Sequence, residues 1–196
     1  VGAVPAGASV PDDGRTEVVS TTVAPAERGE RVQLVPTLPP PTTTTTVSPL
    51  AVPSNSGLGR RVVYSKGRMR VWIIEANGTV ARTYLVSGRL SQPPYGYYQV
   101  FSRSSFTCNI DNPNICMRWM VRFTKGPTGD NIGFHEIPTQ CVNGVCWKLQ
   151  TEAQLGQPLS GGCVRQSTAD AIWMWNWAQI GTVVVASRRP KANGLY

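Results

Sequence analysis

The sequence predicts a mostly β domain: a curved sheet or sandwich with one main helix behind a Gly-Gly-Cys motif, preceded by a disordered Pro/Thr-rich segment. Three observations predict it. Every aromatic residue and every cysteine lies after residue 56. Beyond that point, short alternating runs are punctuated by Gly, Pro and Asn, as strands joined by turns require. Only residues 168–180 carry the cap, the acidic first turn and the glycine stop of a convincing helix.

Residues 1–56 are rich in Ala, Val, Pro and Thr and include a Pro-Pro-Pro-Thr tract from residue 39. Such a composition buries too little apolar surface to offset ordering entropy, and its prolines favour an extended spacer. It is read as a disordered linker or tether, with residues 57–196 as a single domain. Charge divides at the same point. The linker holds three Arg against five acidic residues, a net of −2, so the domain carries +10 against the chain's total of +8. A basic domain meets nucleic acid, membranes or anionic polymers. The cations are scattered along strands and no nucleic-acid fold signature is present, which sets nucleic acid aside.

Within the domain, residues 68–75 alternate as a strand, Asn77-Gly78 reads as a type I′ hairpin turn, and residues 79–87 return. Gly88 and Pro93-Pro94 interrupt before a strand over 97–102. Another strand covers 117–124 and ends at Gly126-Pro127-Thr128-Gly129, and a short one over 132–135 runs into Pro138. The helix over 168–180 has Ser167 or Thr168 as its cap, Asp170 in its first turn and Gly181 as its stop. Ala171, Trp175 and Ala178 share its buried face, with Ile172 and Ile180 beside them. The tryptophans from Trp173 to Trp177 are read as core packing.

Cys108 and Cys116 lie close in sequence, as do Cys141 and Cys146, which leaves Cys163 as the odd one. Four cysteines allow three pairings. Local pairing asks for the least rearrangement, and residues 109–115 and 142–145, with Asn143-Gly144, are turn formers. A structural zinc site is the alternative, but the Cys108 to Cys116 interval is too wide for the usual knuckle. Disulfides imply an oxidising, extracytoplasmic compartment.

His135 is the only histidine, so any imidazole chemistry must use it. Cys163 follows Gly161 and Gly162 and precedes Arg165 and a helix start, surroundings expected to favour thiolate over thiol. A lone base and an activated thiol point to acyl transfer through a thioester. The backbone N–H groups of Gly161, Gly162 and Cys163 are the candidate oxyanion hole, since small residues admit a close carbonyl.

Ser160-Gly161-Gly162-Cys163-Val164-Arg165, downstream of His135, resembles the signature of the L,D-transpeptidase (YkuD-type) catalytic domain. That signature is a His, then Ser/Thr-His-Gly-Cys, an apolar residue and Arg or Asn. Pro94-Tyr95-Gly96-Tyr97-Tyr98 resembles the family's strand entry, and residues 117–123 resemble the strand before the His loop. Asp170-Ala171 and residues 181–185 resemble the closing helix and last strand, so the likeness runs over residues 59–186. One position departs: the family's His two places before the cysteine is Gly161 here.

The resemblance implies a YkuD-type β fold and a peptidoglycan L,D-transpeptidase. Cys163 would attack the carbonyl of the third residue of a tetrapeptide stem, and the terminal D-alanine would leave. A side-chain amine of another stem would then take the acyl group, giving a 3→3 cross-link. His135 would take the thiol proton, oriented by a backbone carbonyl at Glu136, whose side chain is left to reach Arg165 or solvent. Arg165 would hold a substrate carboxylate or support the loop, and Ser160, Tyr95, Tyr97 and Trp119 would line the substrate groove. No metal or organic cofactor is expected, carbapenems are expected to acylate Cys163, and a monomer is expected. The linker would be a wall-spanning tether, with a membrane or wall anchor upstream of residue 1 left open. Two alternatives remain: an L,D-carboxypeptidase, in which water accepts the acyl group, and a non-catalytic wall-binding domain, which Gly161 keeps open.

Overall fold

The structure, a computed structural model, describes residues 50–187. The expected tether therefore lies outside the described residues up to residue 49. Residues 50–56, placed in the linker by composition, are tied to the domain. Trp72 donates from Nε1 to the Leu50 carbonyl at 2.8 Å, and Arg68 reaches the Ala51 carbonyl at 2.7 Å. Arg61 reaches the Ser56 carbonyl at 2.7 Å, and Val52 packs beside Trp72. Composition does not reveal this, because the segment docks through backbone carbonyls, a buried Pro53 and a half-buried Val52, with no aromatic of its own.

In chain order the elements are β1 (Arg61–Ser65), β2 (Arg70–Ile74), β3 (Val80–Leu85), β4 (Gly96–Gln99), β5 (Ser102–Cys108) and β6 (Ile115–Lys125). Then follow β7 (Asn131–Glu136), β8 (Thr139–Val142), β9 (Val145–Lys148), β10 (Val164–Gln166), α1 (Thr168–Trp177) and β11 (Val183–Ser187). One sheet has the order β3-β2-β1-β11-β4; the other runs β10-β7-β6-β8-β9, with β5 also paired to β6. Both sheets and the helix contribute to one core. Val62, Tyr64, Val71 and Ile73 from the first sheet meet Val121, Phe134 and Val164 from the second, with Met174 and Ala178 beside them. The mostly β architecture with one helix is as the sequence predicts. No helix among the described residues is long and apolar enough to cross a membrane.

Four local expectations are corrected. β1 is not among the expected strands: all five of its residues are buried, so it lacks the alternation that reveals a half-buried strand. The expected strand over 97–102 is instead the end of β4, a break at Val100-Phe101, and the start of β5. The turn at Asn77-Gly78 is not type I′, because Gly78 has φ 88° while Asn77 is not among the residues with positive φ. Gly78 N–H donates to the Glu75 carbonyl and Glu75 N–H to the Thr79 carbonyl, both at 2.9 Å. That is the pattern of a turn followed by a glycine bulge.

The fourth correction concerns the helix, which ends at Trp177 with Ala178 as its C-cap, short of the expected end at Ile180. Gly181 thus lies beyond the true stop, and Ile172 and Ile180 are exposed rather than beside the buried face. The buried residues of α1 are Ala171 and Met174, with Trp173, Trp175 and Trp177 packed against the core. Ser167 caps it by accepting from Asp170 N–H, as expected.

Both local disulfides are formed, Cys108–Cys116 across β5 and β6 and Cys141–Cys146 across β8 and β9. Each joins residues already opposite one another in the ladder. The type I′ chemistry appears in the second hairpin, where Asn143 and Gly144 have φ of 50° and 80°.

Candidate active site

One face of the second sheet carries the chemistry. His135 lies on β7 opposite Arg165 on β10. Gly133 and Cys163 fall two residues earlier on the same strand lines, so all four positions share that face. His135, Cys163 and Arg165, with Arg122 and Met120 of β6, line a cavity of about 530 Å³. Cys163 is the one free cysteine among the described residues.

His135 is buried, and its Nδ1 lies 2.5 Å from the Glu136 carbonyl. A carbonyl only accepts, so Nδ1 carries the proton and Nε2 keeps its lone pair. Burial lowers the imidazole pKa to about 4, partly offset by that backbone bond. The ring is therefore neutral at neutral pH and able to take a proton. The Glu136 carboxylate is engaged away from Arg165. It accepts from Arg118 N–H at 3.2 Å and Thr168 Oγ1 at 3.0 Å, and pairs with Lys148 at 3.3 Å.

Cys163 corrects an expectation. Between it and α1 runs β10, so the thiol is not at a helix N-terminus. Burial pushes its pKa up from 9.0, against smaller lowering effects from a Gly133 backbone bond, Arg122 and Arg165. The resting pair is thus thiol and neutral imidazole, and the thiol donates to the Asn131 carbonyl at 3.4 Å. Its proton must turn from Asn131 toward Nε2 for the sulfur to attack. The iodoacetamide rate at Cys163 is accordingly expected to be below that of a free thiol at neutral pH and to climb beyond pH 9. A flat profile from pH 5 to 9 would instead reveal a preformed ion pair.

The cysteine loop is tied by Ser160, whose Oγ accepts from Gly162 N–H at 3.0 Å and donates to the Cys163 carbonyl. Ser160 is largely buried, supports the loop and also lines the cavity. Since Gly162 N–H is engaged in this arrangement, Gly161 and Cys163 are the better-placed donors for an oxyanion. The Gly161 carbonyl accepts from Arg89 at 2.9 Å. A Cβ on Gly161 would meet nothing within 4 Å, and its φ lies outside the left-handed region. Gly161→His is therefore expected to fold normally and to change acylation less than about tenfold, or ~1.4 kcal/mol. Stopped-flow acylation of the two proteins checks it.

Arg165 lines the cavity, donates to Gln150 Oε1 at 3.3 Å, and exchanges two backbone hydrogen bonds with Ser87. Tyr95, Tyr97 and Trp119 do not line the cavity. Tyr97 lies on β4 in the other sheet, Tyr95 just precedes that strand, and the Trp119 ring sits 5.7 Å from that of Trp175 on the helix. Sequence reading missed Arg122, Asp130 and Asn131. Only the proximity of the last two to the His loop pointed to them.

The fold and site define a β domain that presents a single free thiol and a tautomer-fixed imidazole in one cavity. The chain belongs to the L,D-transpeptidase catalytic-domain family (YkuD), whose sequence profile matches residues 59–185. An L,D-transpeptidase from Mycobacterium smegmatis is similar at 15% identity, covering 67% of this chain and 59% of that one, with a TM-score of 0.50. One from Stackebrandtia nassauensis shares 16% identity, covering 70% of this chain and 58% of that one, with a TM-score of 0.48. The chain thus spans less than two thirds of the length of these solved structures. At 15% identity the likeness to the Mycobacterium smegmatis enzyme speaks for the fold alone. No curated protein matches the chain by sequence.

Proposed function

We propose that this domain is a peptidoglycan L,D-transpeptidase that forms 3→3 cross-links through a thioester on Cys163. The observation that carries the reading is the free Cys163 sharing a cavity with His135, whose Nδ1 is held by the Glu136 carbonyl. Nε2 takes the thiol proton as sulfur attacks the third-residue carbonyl of a tetrapeptide stem. The imidazolium then returns the proton to the departing D-alanine nitrogen. An amine from a second stem attacks the thioester, His135 accepts its proton, and the C–S bond breaks as the imidazolium returns that proton to the departing Cys163 sulfur. Gly161 and Cys163 N–H groups hold the oxyanion. The site works outside the cytoplasm, consistent with two disulfides, and residues 1–49 serve as a tether to the wall. Carbapenems acylate the same sulfur.

Incubation with a defined tetrapeptide and an amine acceptor, followed by mass analysis of products, tests the reading. A cross-linked tripeptide–amine product is expected. Tripeptide acid alone would mean that water is the acceptor and the domain is a carboxypeptidase. Failure to form any stem thioester would favour a non-catalytic wall-binding domain.

A further inference from the structure

Across the second sheet, Ser102, Arg122 and Gly133 stand opposite one another on β5, β6 and β7. Val164 is opposite Phe134, so one residue back Cys163 stands beside Gly133. Gly133 has no side chain, and none fits: a Cβ there would lie 2.5 Å from the Val121 carbonyl oxygen. No side chain therefore stands between Arg122 and Cys163 in that row of the sheet. Two strand spacings separate their Cα atoms by about 10 Å.

The Arg122 guanidinium is held by neutral oxygens alone. It donates to Ser102 Oγ at 3.2 Å, Ser104 Oγ at 2.8 Å and Thr107 Oγ1 at 3.4 Å. None of the ion pairs among the described residues includes it, although Asp111 and Asp130 line the same cavity. Hydroxyls fix a guanidinium in place without neutralising it, so its charge stays available to an anion. That charge already acts at the site, lowering the pKa of both His135 and Cys163 alongside Arg165. Asp130 is the opposing group, raising that of Cys163.

We propose that Arg122 recognises a carboxylate of the acyl donor from its place two strands from Cys163, with Gly133 between them. The assignment rests on the reading of the domain as an acyl transferase for stem peptides. With the attacked carbonyl at Cys163, the terminal carboxylate one residue further along the donor lies about 4 Å away, and a side-chain carboxylate on the third residue reaches several bonds further. Both the terminal D-alanine carboxylate and a side-chain carboxylate on the third residue have this chemistry. Arg122 is a specificity residue here: it selects anionic donors and orients them.

The test uses the full chain carrying Cys163→Ala, which binds donor without turnover, and calorimetric Kd values for three synthetic tetrapeptides. One is the free acid with a diamino-diacid third residue, one its C-terminal amide, and one the free acid with lysine third. Arg122→Gln is expected to weaken the first by about tenfold to a hundredfold, the range for a charged hydrogen bond. The peptide lacking the recognised carboxylate should bind both proteins alike, which identifies the carboxylate. Arg122→Lys should recover part of the loss, and near-UV circular dichroism checks packing in each variant. Equal weakening of all three peptides, or no weakening at all, overturns the proposal. If stem thioester still forms on native Cys163 in that case, only Arg122's role falls. If the Arg122-bearing protein binds none of the peptides, the inference and the reading beneath it fall together.

Discussion

Cys163→Ala is expected to abolish turnover and the carbapenem mass adduct while leaving the melting temperature nearly unchanged. The chemical half of this follows from the thiol inventory. Cys108, Cys116, Cys141 and Cys146 are bridged, so a thioester has one sulfur available among the described residues. Cys108 lines the same cavity, yet its sulfur is tied to Cys116 across the β5–β6 ladder. The structural half separates catalysis from the commonest fate of a free cysteine, which is to be a small buried hydrophobe. Cys163 lines the cavity and is only partly buried, and its thiol donates to the Asn131 carbonyl at 3.4 Å, a weak donor's bond. Removing the neutral thiol leaves no buried charge behind. Intact-protein mass spectrometry and a thermal melt read the two halves together. An adduct persisting in the variant would sink the assignment, and a melt lowered by many degrees would mark Cys163 as a packing residue.

Much of the architecture is legible in the sequence, and the gaps have physical causes. β3 and β6 are legible from the turns that bound them, Asn77-Gly78 before β3 and Gly126-Pro127-Thr128-Gly129 after β6. β2 is legible from the Asn77-Gly78 turn behind it, and β7 from Gly129 before it and Pro138 after it. β1 has no such marks. All five of its residues are buried, and its neighbour β11 lies more than a hundred residues away in sequence. The two Asn-Gly pairs show why turn type needs context. Asn143-Gly144 closes a two-residue hairpin in register, whereas Asn77 keeps its φ outside the positive region and uses Oδ1 to accept from Thr79 N–H at 3.0 Å.

At the site, residue types are legible and environments are not. His135 and Cys163 stand out as the lone base and the odd thiol. The expectation of a thiolate fails because sequence adjacency to a helix start hides β10, and because burial outweighs the nearby cations. Arg122 does not stand out either. Its importance comes from a register that sets it two strands from Cys163 with a glycine between.

His135→Gln is expected to lower acylation by roughly 10²–10⁴-fold, the span for loss of a general base, and also to alter acid stability. Glutamine's amide can still donate toward the Glu136 carbonyl, so the variant removes basicity more than shape. In the native protein the imidazole stays neutral down to about pH 4, against 6.5 ordinarily. The acidic limb of the acylation profile should accordingly fall near pH 4. For stability the sign follows from which state binds the proton. Between about pH 6.5 and 4 the unfolded chain takes up a proton that the folded chain refuses, so stability drops as pH falls through that window. It is present in full above pH 6.5. A gap of that width corresponds to about 3 kcal/mol. Glutamine does not titrate, so the variant's denaturant midpoint should change less between about pH 7 and 4 than the native protein's. Near-native acylation at neutral pH would show that another group takes the thiol proton, and Asp130, which also lines the cavity, would be the residue to replace next. An unchanged acid slope would mean instead that the imidazole meets water freely, removing the physical basis for its neutrality at the site.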